Sequence, residues 1–455
     1  MIESLRDYLS LMEKMGQILK IKKKVNKDDI PELIERLSQY RKVLLFEEVE
    51  HYTCRLVANL APNQNAFKML FQTEDPYRFF VRGIQKTVKT VKTTRGELKT
   101  SNMAERDLMD FLPILRHYEK DSAPFITSAI ISATDPDTGA VGRGIHRMEY
   151  RGRNRLGIAL LNPPLATIYQ KHLERGTRMP VSITIGVDPG ILIPMALKVP
   201  PGSDKLEAAG ALKGEGIKVI PSFDSSVEVP ATGEFLLEGY VDEGQVKQDG
   251  PMGEISGYYL SLHETPTVVV ERLSHREYPI YHALLPTCPE ADMYITFMSR
   301  AYIEESTKKL FPSITNLTFV PKTFGSSLIV NVTTTEKFKI KNLILFLLTF
   351  QMIKKVVVVD DDINPEDLRD VEWAIITRCK ADEDFVILDR LQGQPIDPTA
   401  QEVYGVTKVG INATVTGKKI HERALIAAGD RQRIQNILQS MGGMEQTRSW
   451  WEYQE

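Results

Sequence analysis

The feature that most constrains the fold is a change of residue pattern in the middle of the chain. Between residues 125 and about 279 the sequence consists of short β-branched runs, such as ITSAIISA and TVVVERL, separated by Gly, Pro and Asp. Turn sequences recur there as DPDTG at 135–139, DPG at 188–190 and DGP at 249–251. This pattern predicts a barrel or a sandwich, with one helix inserted near residues 166–175.

Both flanks of this β-rich section show an α/β pattern instead. Apolar residues at helical spacing between positions 5 and 12 predict a helix that ends at Gly16, followed by strands at 18–21 and 43–46. After residue 300 we predict a strand at 327–332, a helix at 338–352 and an apolar strand at 356–359. Asn364 and Pro365 are suited to the N-cap and first turn of another helix. The uninterrupted apolar strand is typical of a parallel sheet that is covered on both faces.

Length and charge exclude several classes of protein. The 455 residues allow about two to four domains, each with a core of its own. Because 57 Lys and Arg face 60 Asp and Glu, the net charge of -3 gives no electrostatic case for a nucleic-acid partner. The basic stretch at residues 86–99 is therefore predicted to be a solvated surface segment, with a nucleic-acid contact as the alternative.

Cysteine usage and hydropathy favour a cytoplasmic protein. Cys54, Cys288 and Cys379 are too far apart in sequence for a cysteine-based zinc site, and three cysteines are too few for a disulfide scaffold. Such usage suits a reducing compartment. The longest apolar stretch, residues 343–353, is shorter than the ~20 residues that a membrane helix needs. We therefore expect a buried helix there and no membrane partner.

One candidate site lies in GRGIHRMEYRGR, residues 142–153, where five of twelve residues are Arg or His. If this segment is one strand, alternation places Arg143, Ile145, Arg147 and Glu149 on the same face. Inward-facing arginines need anionic partners, because an unpaired buried guanidinium is very costly. A salt-bridged strand on the protein surface is an equally open interpretation of the same residues.

A second candidate site lies in DGPMGE, residues 249–254. Asp249 and Glu254 flank what the sequence indicates is a tight turn, so both carboxylates can point into one cavity. Paired carboxylates near an arginine suit proton transfer, since one can stay ionised while the pKa of the other is raised. From local sequence alone, an ordinary acidic loop is the favoured alternative.

A resemblance to a known family changes this balance. The run LPILRHYEKDSAPFITSAIISATDPDTGAVGRGIHRMEYRG, residues 112–152, resembles the core signature of the UbiD-type decarboxylases, which use prenylated FMN. The likeness continues through RMPVSITIGVDP, DGPMGEISGYY and IYHALLP to VVVVDDDINPEDLRDVEWAIITR and KVGINAT, in collinear order over nearly the whole chain. It implies an N-terminal α/β domain at 1–115, a central split β-barrel related to flavin reductases at 116–310, and a C-terminal α/β domain at 311–455.

The resemblance also implies an activity and partners. Members of this family catalyse reversible non-oxidative decarboxylation of aromatic or α,β-unsaturated carboxylic acids with prenylated FMN, which a flavin prenyltransferase supplies. A homodimer or a hexamer is expected. Two alternatives stay open: a carboxylase subunit of a larger complex, and a non-catalytic family member that binds the cofactor weakly.

Residue roles follow from the same resemblance. Arg147, Asp249 and Glu254 match the catalytic residues: Arg147 neutralises carboxylate charge, and Glu254 protonates the carbon that CO2 leaves. Asp249 stands where the family usually has Glu, so we expect a looser or water-bridged contact with Arg147. The residues expected to bind the cofactor are Arg143, Ile145, His146, Arg147, Glu238 and Lys408.

The metal site of the family is incomplete in this sequence. The family's metal-binding Asn corresponds to Gly142 and its His to Leu165, which leaves only Glu238 as a ligand for the Mn²⁺, with nearby K⁺, that relatives hold. We hypothesise that Arg143 and Lys408, the latter resembling a phosphate-contacting lysine, replace the missing charge.

The segment at residues 282–294 departs from the glycine-rich continuation usual in the family. We expect it to face the substrate with His282, Cys288 and Glu290. Cys288 is interpreted as a packing residue and not as a nucleophile, because no base is near it in sequence.

Overall fold

Two compact units make up the chain, Met1–Glu305 and Ser306–Glu455. The structure is a computed structural model, and it describes residues 2–96, 98–197, 199, 202–223, 227–333, 336–400, 405–420, 423–424 and 429–440. No helix among these residues is both long enough and apolar enough to cross a membrane.

The first unit contains most of the strands, which are numbered here in chain order. They are β1 (Ile18–Ile21), β2 (Val43–Phe46), β3 (Arg55–Ala58), β4 (Val91–Lys92), β5 (Lys99–Asn102), β6 (Phe125–Ile126), β7 (Ile130–Thr134), β8 (Val141–Ile145), β9 (Met148–Tyr150), β10 (Arg155–Ile158), β11 (Met179–Ile185), β12 (Lys218–Pro221), β13 (Glu228–Pro230), β14 (Phe235–Gly253), β15 (Tyr259–His275) and β16 (Ile280–His282).

Helices cover these strands or connect them. They are α1 (Leu5–Lys14), α2 (Ile30–Leu37), α3 (Gln64–Phe71), α4 (Pro76–Ile84), α5 (Leu165–Glu174), α6 (Pro189–Leu192), α7 (Lys205–Lys213) and α8 (Pro289–Leu310). Short 3-10 turns occur at Lys27–Asp29, Ser38–Tyr40, Leu108–Asp110 and Ile193–Ala196. Helix α5 lies where the sequence predicts the inserted helix.

A small mixed sheet is built largely from the N-terminal α/β segment. Its strand order is β1-β2-β3-β16, so the chain returns to it after residue 279. Helix α1 begins with a capping box, in which Ser4 and Asp7 satisfy each other's backbone amides, and it buries the apolar residues that predicted it. Met15 is its C-cap, and Gly16 follows at φ +67°, a conformation that favours glycine.

The centre of the first unit is a curled, half-barrel antiparallel sheet. Its strand order is β6-β9-β10-β15-β14-β11-β7-β8, with β5 paired to β15. The expected β-rich architecture is therefore present. A third, small sheet has the order β13-β12-β4.

Strands β14 and β15 form the long hairpin that carries much of the candidate site. Their pairing shifts register next to Glu238, between Asp242 and Val246, and on both sides of Asp249. The predicted turn at residues 249–251 is wrong, because β14 continues to Gly253 through these bulges. The chain reverses after β14 instead, where the amide of Glu254 donates to the Tyr258 carbonyl at 3.0 Å.

The second unit is an α/β layer. Its strands are β17 (Ile314–Phe319), β18 (Ser327–Val332), β19 (Lys355–Asp360), β20 (Phe385–Gln392) and β21 (Gly405–Ala413), and its helices are α9 (Lys337–Leu348), α10 (Leu368–Arg378), α11 (Ala381–Asp384) and α12 (Arg431–Ser440). The order is β17-β18-β19-β21-β20, in which β18, β19 and β21 are parallel while β17 and β20 pair antiparallel at the edges.

The predicted start of α10 is wrong by one turn. Asp367 caps the helix by accepting from the Arg369 amide at 3.0 Å, whereas Asn364 accepts from the Glu366 amide in a turn before it. Both residues suit a cap, and the residue pattern alone does not choose between them.

The boundary predicted at residue 115, between the N-terminal α/β domain and the split β-barrel, falls inside the first unit. Leu44 and Phe46 of β2 share one hydrophobic cluster with Ile131 of β7 and Met148 of β9. The division into three domains stays a prediction; its second boundary, after residue 310, lies near the boundary between the two units at Glu305.

Candidate active site

Arg147 lies in a break between two strands of the curled sheet. Strand β8 ends at Ile145 and β9 begins at Met148. The predicted alternation of Arg143, Ile145, Arg147 and Glu149 on one face is therefore wrong: β8 pairs with β7, whereas β9 pairs with β6 and β10. Because Arg147 lies between the two strands, the alternation of side chains along neither strand fixes the direction of its side chain.

The guanidinium of Arg147 bridges the two predicted carboxylates. Its Nη2 donates to Asp249 Oδ1 and its Nη1 donates to Glu254 Oε1, both as short contacts. The expected looser contact of Asp249 is wrong, because the bulged end of β14 brings the shorter carboxylate directly onto the guanidinium. Asp249 is fully buried, and the Glu254 side chain keeps 22% of its surface exposed.

Burial sets the protonation preference of both carboxyl groups. Desolvation raises the pKa of Asp249, and Arg147 opposes this shift only in part. The pKa of Glu254 is also raised, chiefly by burial and further by the negative charge of Asp249, again against the opposing effect of Arg147. One cation thus faces two carboxyl groups that both resist ionisation, an arrangement in which a proton can be held at Glu254.

A second ion pair, which sequence reasoning missed, supports the end of β14. Glu149 accepts from Arg151 Nε at 3.1 Å, from Ser122 Oγ at 2.5 Å and from the Gly250 amide at 3.3 Å. Arg151 also donates to the Lys247 carbonyl at 3.2 Å. These bonds hold the backbone on both sides of Asp249. The available signal was the basic cluster itself, in which Arg151 is the next arginine after Arg147.

Asp121 fixes the residue that precedes Glu254. Its Oδ1 accepts from the Gly253 amide at 2.9 Å, while its Oδ2 accepts from the amides of His117 and Tyr118, each at 2.9 Å. Asp121 lies inside the segment that carries the family resemblance, but no local pattern distinguishes it from a surface aspartate.

Arg143 is buried, with 1% of its side chain exposed, so the surface-strand interpretation is wrong for it. Its Nε and Nη2 donate to the two carboxylate oxygens of Asp204 at 2.8 and 3.0 Å, and its Nη1 donates to Ser132 Oγ at 2.8 Å. The charge of Arg143 is thus already matched by Asp204. The predicted role of Arg143, to replace the missing metal charge near the cofactor phosphate, stays a prediction.

Lys408 lies on β21 in the second unit. Its Nζ donates to the carbonyls of Leu348 and Phe350, at 3.0 and 2.8 Å, and so caps the C-terminal end of α9. Burial lowers the pKa of Lys408 to about 8. These partners give Lys408 a structural role in its own unit, and its phosphate contact stays a prediction.

The neighbours of Arg147 along the chain are partly buried. The Nδ1 of His146 is 2.7 Å from the Ala159 carbonyl, and burial lowers the pKa of this imidazole, which favours its neutral form. Ile145 packs against a core cluster that contains Ile130, its partner across the β7–β8 pair. Cofactor binding by Ile145 and His146, which flank Arg147 on its N-terminal side, stays a prediction.

Residues of the predicted substrate segment are buried and form hydrogen bonds with one another. His282 Nε2 is 2.9 Å from Glu290 Oε1, which also accepts from Tyr294 Oη at 2.8 Å. Cys288 is buried, and burial raises the pKa of its thiol, which keeps it protonated. The burial of Cys288 agrees with its predicted packing role. The contact of the segment with substrate stays a prediction.

The remaining family metal ligand, Glu238, is occupied by a cation of the chain. Arg95 Nη2 donates to both of its carboxylate oxygens, at 2.9 and 2.8 Å. Among the described residues no group of three or more His, Cys, Asp and Glu could hold a metal ion. The donor set therefore does not fit the family's divalent ion. Arg95 belongs to the basic stretch predicted to be solvated, and for this residue that prediction is wrong.

Comparison with known proteins identifies the family of the chain. Residues 89–289 match the 3-octaprenyl-4-hydroxybenzoate carboxy-lyase Rift-related domain (UbiD), and residues 292–413 match the C-terminal domain of the same carboxy-lyase (UbiD_C). Over 324 residues the chain is 35% identical to the anhydromevalonate phosphate decarboxylase of Methanosarcina mazei, covering 69% of this chain and 74% of that protein. The chain belongs to the UbiD family.

Solved UbiD-class structures share its fold. The enzyme HmfF from Pelotomaculum thermopropionicum, in complex with FMN, superposes with a TM-score of 0.87 at 28% identity, covering 93% of this chain and 97% of that one. An evolved dimeric form of the same enzyme, in complex with prenylated FMN, gives a TM-score of 0.84 at the same 28% identity, with the same coverage of 93% and 97%. The protein is thus a UbiD-family decarboxylase, a carboxy-lyase.

Proposed function

We propose that this UbiD-family decarboxylase uses prenylated FMN to remove CO2 reversibly from an α,β-unsaturated or aromatic carboxylic acid. The observation that carries the proposal is the position of Arg147 between Asp249 and Glu254, whose pKa values are both raised by burial. This arrangement combines one fixed positive charge with a carboxyl group that can deliver a proton.

Unpaired polar atoms at this site support a bound ligand. Arg147 Nε and Asp249 Oδ2 are buried and have no hydrogen-bond partner among the described residues. Buried polar groups are almost always paired, so such atoms indicate a group that completes them. Residues 145–147 would hold the cofactor beside the carboxyl pair. Prenylated FMN supplies the electron sink for the pair of electrons that CO2 leaves behind.

The protein residues divide the remaining work. Arg147 attracts and orients the substrate carboxylate, since its guanidinium is permanently charged. After the carbon–carbon bond to CO2 breaks, the carboxyl group of Glu254 gives its proton to the carbon that carried CO2. The carboxylate that forms is stabilised by Arg147 Nη1, its existing partner. Partial exposure of Glu254 lets solvent return the proton, and the reverse sequence of proton transfers serves carboxylation.

The relative from Methanosarcina mazei favours one substrate among these acids. Its name describes a phosphorylated acid that has lost water, and 35% identity over 74% of its length is the strongest sequence likeness described above. We propose anhydromevalonate phosphate, or a similar phosphorylated unsaturated acid, as the first substrate to test. A homodimer or a larger multiple is the proposed assembly, since a form of the structural neighbour is dimeric.

The test is to co-express the protein with a flavin prenyltransferase, purify it without oxygen, record its visible spectrum and measure CO2 release. We expect bound modified flavin and release of CO2 from anhydromevalonate phosphate, with aromatic and unphosphorylated unsaturated acids as comparisons. A colourless protein under these conditions overturns the proposal and favours a carboxylase subunit or a non-catalytic member. Bound cofactor with turnover of only another acid overturns the substrate choice alone.

A further inference from the structure

The guanidinium of Arg95 is held in one position against Glu238. Its Nη2 donates to both oxygens of the carboxylate, and its Nε donates to the Pro221 carbonyl at 3.3 Å. The ring of Phe223 lies against its flat face, with the Cζ atom 3.4 Å from the ring centroid. The Phe223 amide donates to Glu238 Oε1 at 2.5 Å as well. Both carboxylate oxygens therefore already have strong donors.

The two positions at which the family resemblance implies the other metal ligands, Gly142 and Leu165, are filled by apolar packing. A Cβ atom on Gly142 would lie 2.4 Å from Ile168 Cδ1 and 3.2 Å from Pro164 Cγ, so no side chain fits there without a shift of Ile168. Leu165 is fully buried in the hydrophobic core with Ile168. Positions 142 and 165 therefore contact apolar side chains and offer no oxygen or imidazole ligand to a metal ion.

Strand pairing shows what surrounds Glu238 instead. Glu238 lies opposite Ser182 on β11, Ser182 opposite Ser132 on β7, and Ser132 opposite Arg143 on β8. Residues that pair across strands share a face of the sheet, so these four form one buried polar row. Each end of the row is an ion pair within the chain, Arg95 with Glu238 and Arg143 with Asp204.

We infer that Arg95 is the built-in cation of this site: it neutralises Glu238 in place of a divalent metal ion, and the protein binds no metal there. A hard divalent cation takes about six to eight oxygen ligands, and Glu238 offers two oxygens that are already bonded. The guanidinium is charged at every accessible pH and brings planar donors that match a carboxylate. Arg95 thus neutralises the Glu238 carboxylate by itself, whereas a metal ion would need further ligands from the protein.

Arg95 also has a donor to spare. Its Nη1 is buried and has no hydrogen-bond partner among the described residues. Because a buried donor without a partner is costly, it is suited to an anionic group of a ligand. Provided that the proposed function holds, the phosphate of the flavin is the anion we assign to it.

The first experiment asks whether metal matters. We would measure Mn, Mg, Fe and Zn in protein purified anaerobically with its cofactor, and record Tm with added MnCl2 and with EDTA. We expect far less than one metal ion per protomer and the same Tm in both solutions. One tightly bound metal ion per protomer, or a Tm that EDTA lowers and MnCl2 restores, overturns the inference.

The second experiment tests neutralisation by comparing Arg95→Ala, Glu238→Gln and the double variant. Removing only the arginine leaves a buried carboxylate without its partner, so Arg95→Ala should lower Tm by roughly 6 °C or more. Adding Glu238→Gln should restore most of this loss, because no charge is then left unpaired. Lys92→Ala is the matched control from the same basic segment, since the exposed Lys92 side chain pairs with Glu228 at the surface. A double variant no more stable than Arg95→Ala overturns the inference.

The third experiment measures FMN affinity in EDTA for wild type, Arg95→Ala and Lys92→Ala. Loss of a charge-assisted hydrogen bond predicts a Kd about 10-fold or more higher for Arg95→Ala alone. An unchanged Kd overturns the assignment of Nη1 to the phosphate. If wild type binds neither FMN nor prenylated FMN, the proposed function fails, whereas metal content and the Tm comparison still decide whether Arg95 is the cation of the site.

Discussion

Arg151 holds Glu149 through a 3.1 Å bond from its Nε, and neither residue touches Arg147, Asp249 or Glu254 through a described side-chain bond. Their importance lies in what they hold. Glu149 accepts from the Gly250 amide, and Arg151 donates to the Lys247 carbonyl, so the pair fixes the bulged strand on both sides of Asp249. The first prediction follows from this arrangement.

Arg151→Ala should lower kcat/KM by about 10-fold to 100-fold, because small misplacements of a catalytic group are costly. Steady-state CO2 release measures the effect. Arg155→Ala is the control, since Arg155 is exposed at the start of β10 in the same sheet. Equal activity of both variants would contradict a positioning role for Arg151.

Glu254→Gln should lower kcat by about 100-fold to 10,000-fold, because a glutamine cannot give up the proton that the product needs. The variant should keep its flavin spectrum, since the amide still accepts from Arg147. Glu264→Gln, an exposed position on β15, is the matched control and should behave as wild type. Full turnover by Glu254→Gln would remove Glu254 from the mechanism, as full turnover by Arg147→Ala would remove Arg147.

The rate should depend on pH in one direction. Because burial raises the pKa of Glu254 and the proton donor is its protonated form, kcat should be constant at low pH and fall as pH rises through that raised value. Asp249 contributes to the shift, so Asp249→Asn should move the falling limb to lower pH. A pH profile of kcat for both proteins is the measurement. A limb that moves to higher pH contradicts the coupling of the two carboxyl groups.

Gly142→Ala should lower the free energy of unfolding by about 1–3 kcal/mol, because its methyl group would lie 2.4 Å from Ile168 Cδ1. Adding Ile168→Val removes that δ-carbon and should recover part of the loss. Gly244→Ala is the control, since the nearest atom there would be 3.4 Å away. Urea unfolding compares the variants, and a neutral Gly142→Ala would show that the packing against Gly142 yields easily.

His117 should make the first unit sensitive to mild acid. Burial lowers the pKa of its imidazole from 6.5 to about 4, so the folded state keeps it neutral where the unfolded chain takes up a proton. Its contribution is fully present above pH 6.5 and is lost as pH falls from 6.5 to about 4, by up to ~3 kcal/mol. Urea unfolding at pH 7.5 and 4.5 should show a smaller difference for His117→Gln. The exposed His263→Gln should match wild type.

Local patterns predicted the elements whose sequence and environment agree. Strands 18–21, 43–46 and 327–332 were predicted to the residue, because each is a short run dominated by apolar residues with polar or turn residues on both sides. The sequence around Asp249 predicted a turn, because Asp, Gly and Pro are typical of turns. Pairing with β15 overrides that preference and keeps the segment in a bulged strand.

The site was predictable only in part, and the reason is distance along the chain. Family resemblance selected Arg147, Asp249 and Glu254, which the structure brings together. Arg95 lies 143 residues before Glu238, among lysines that made its segment look solvated. No local pattern connects two such residues, because only the folded sheet brings them into contact.

The long strand β14 carries Glu238 near its first residue and Asp249 near its last. The distance between the Arg95–Glu238 pair and the Arg147–Asp249 pair therefore depends on the length of one continuous strand. Unless one of the bulges in β14 absorbed the change, removing a single residue between them would turn Asp249 to the opposite face of the sheet. Removing two would keep its face but draw it about 6.6 Å closer to Glu238. The number of residues in this strand, more than their identity, therefore sets how far apart the two ion pairs lie.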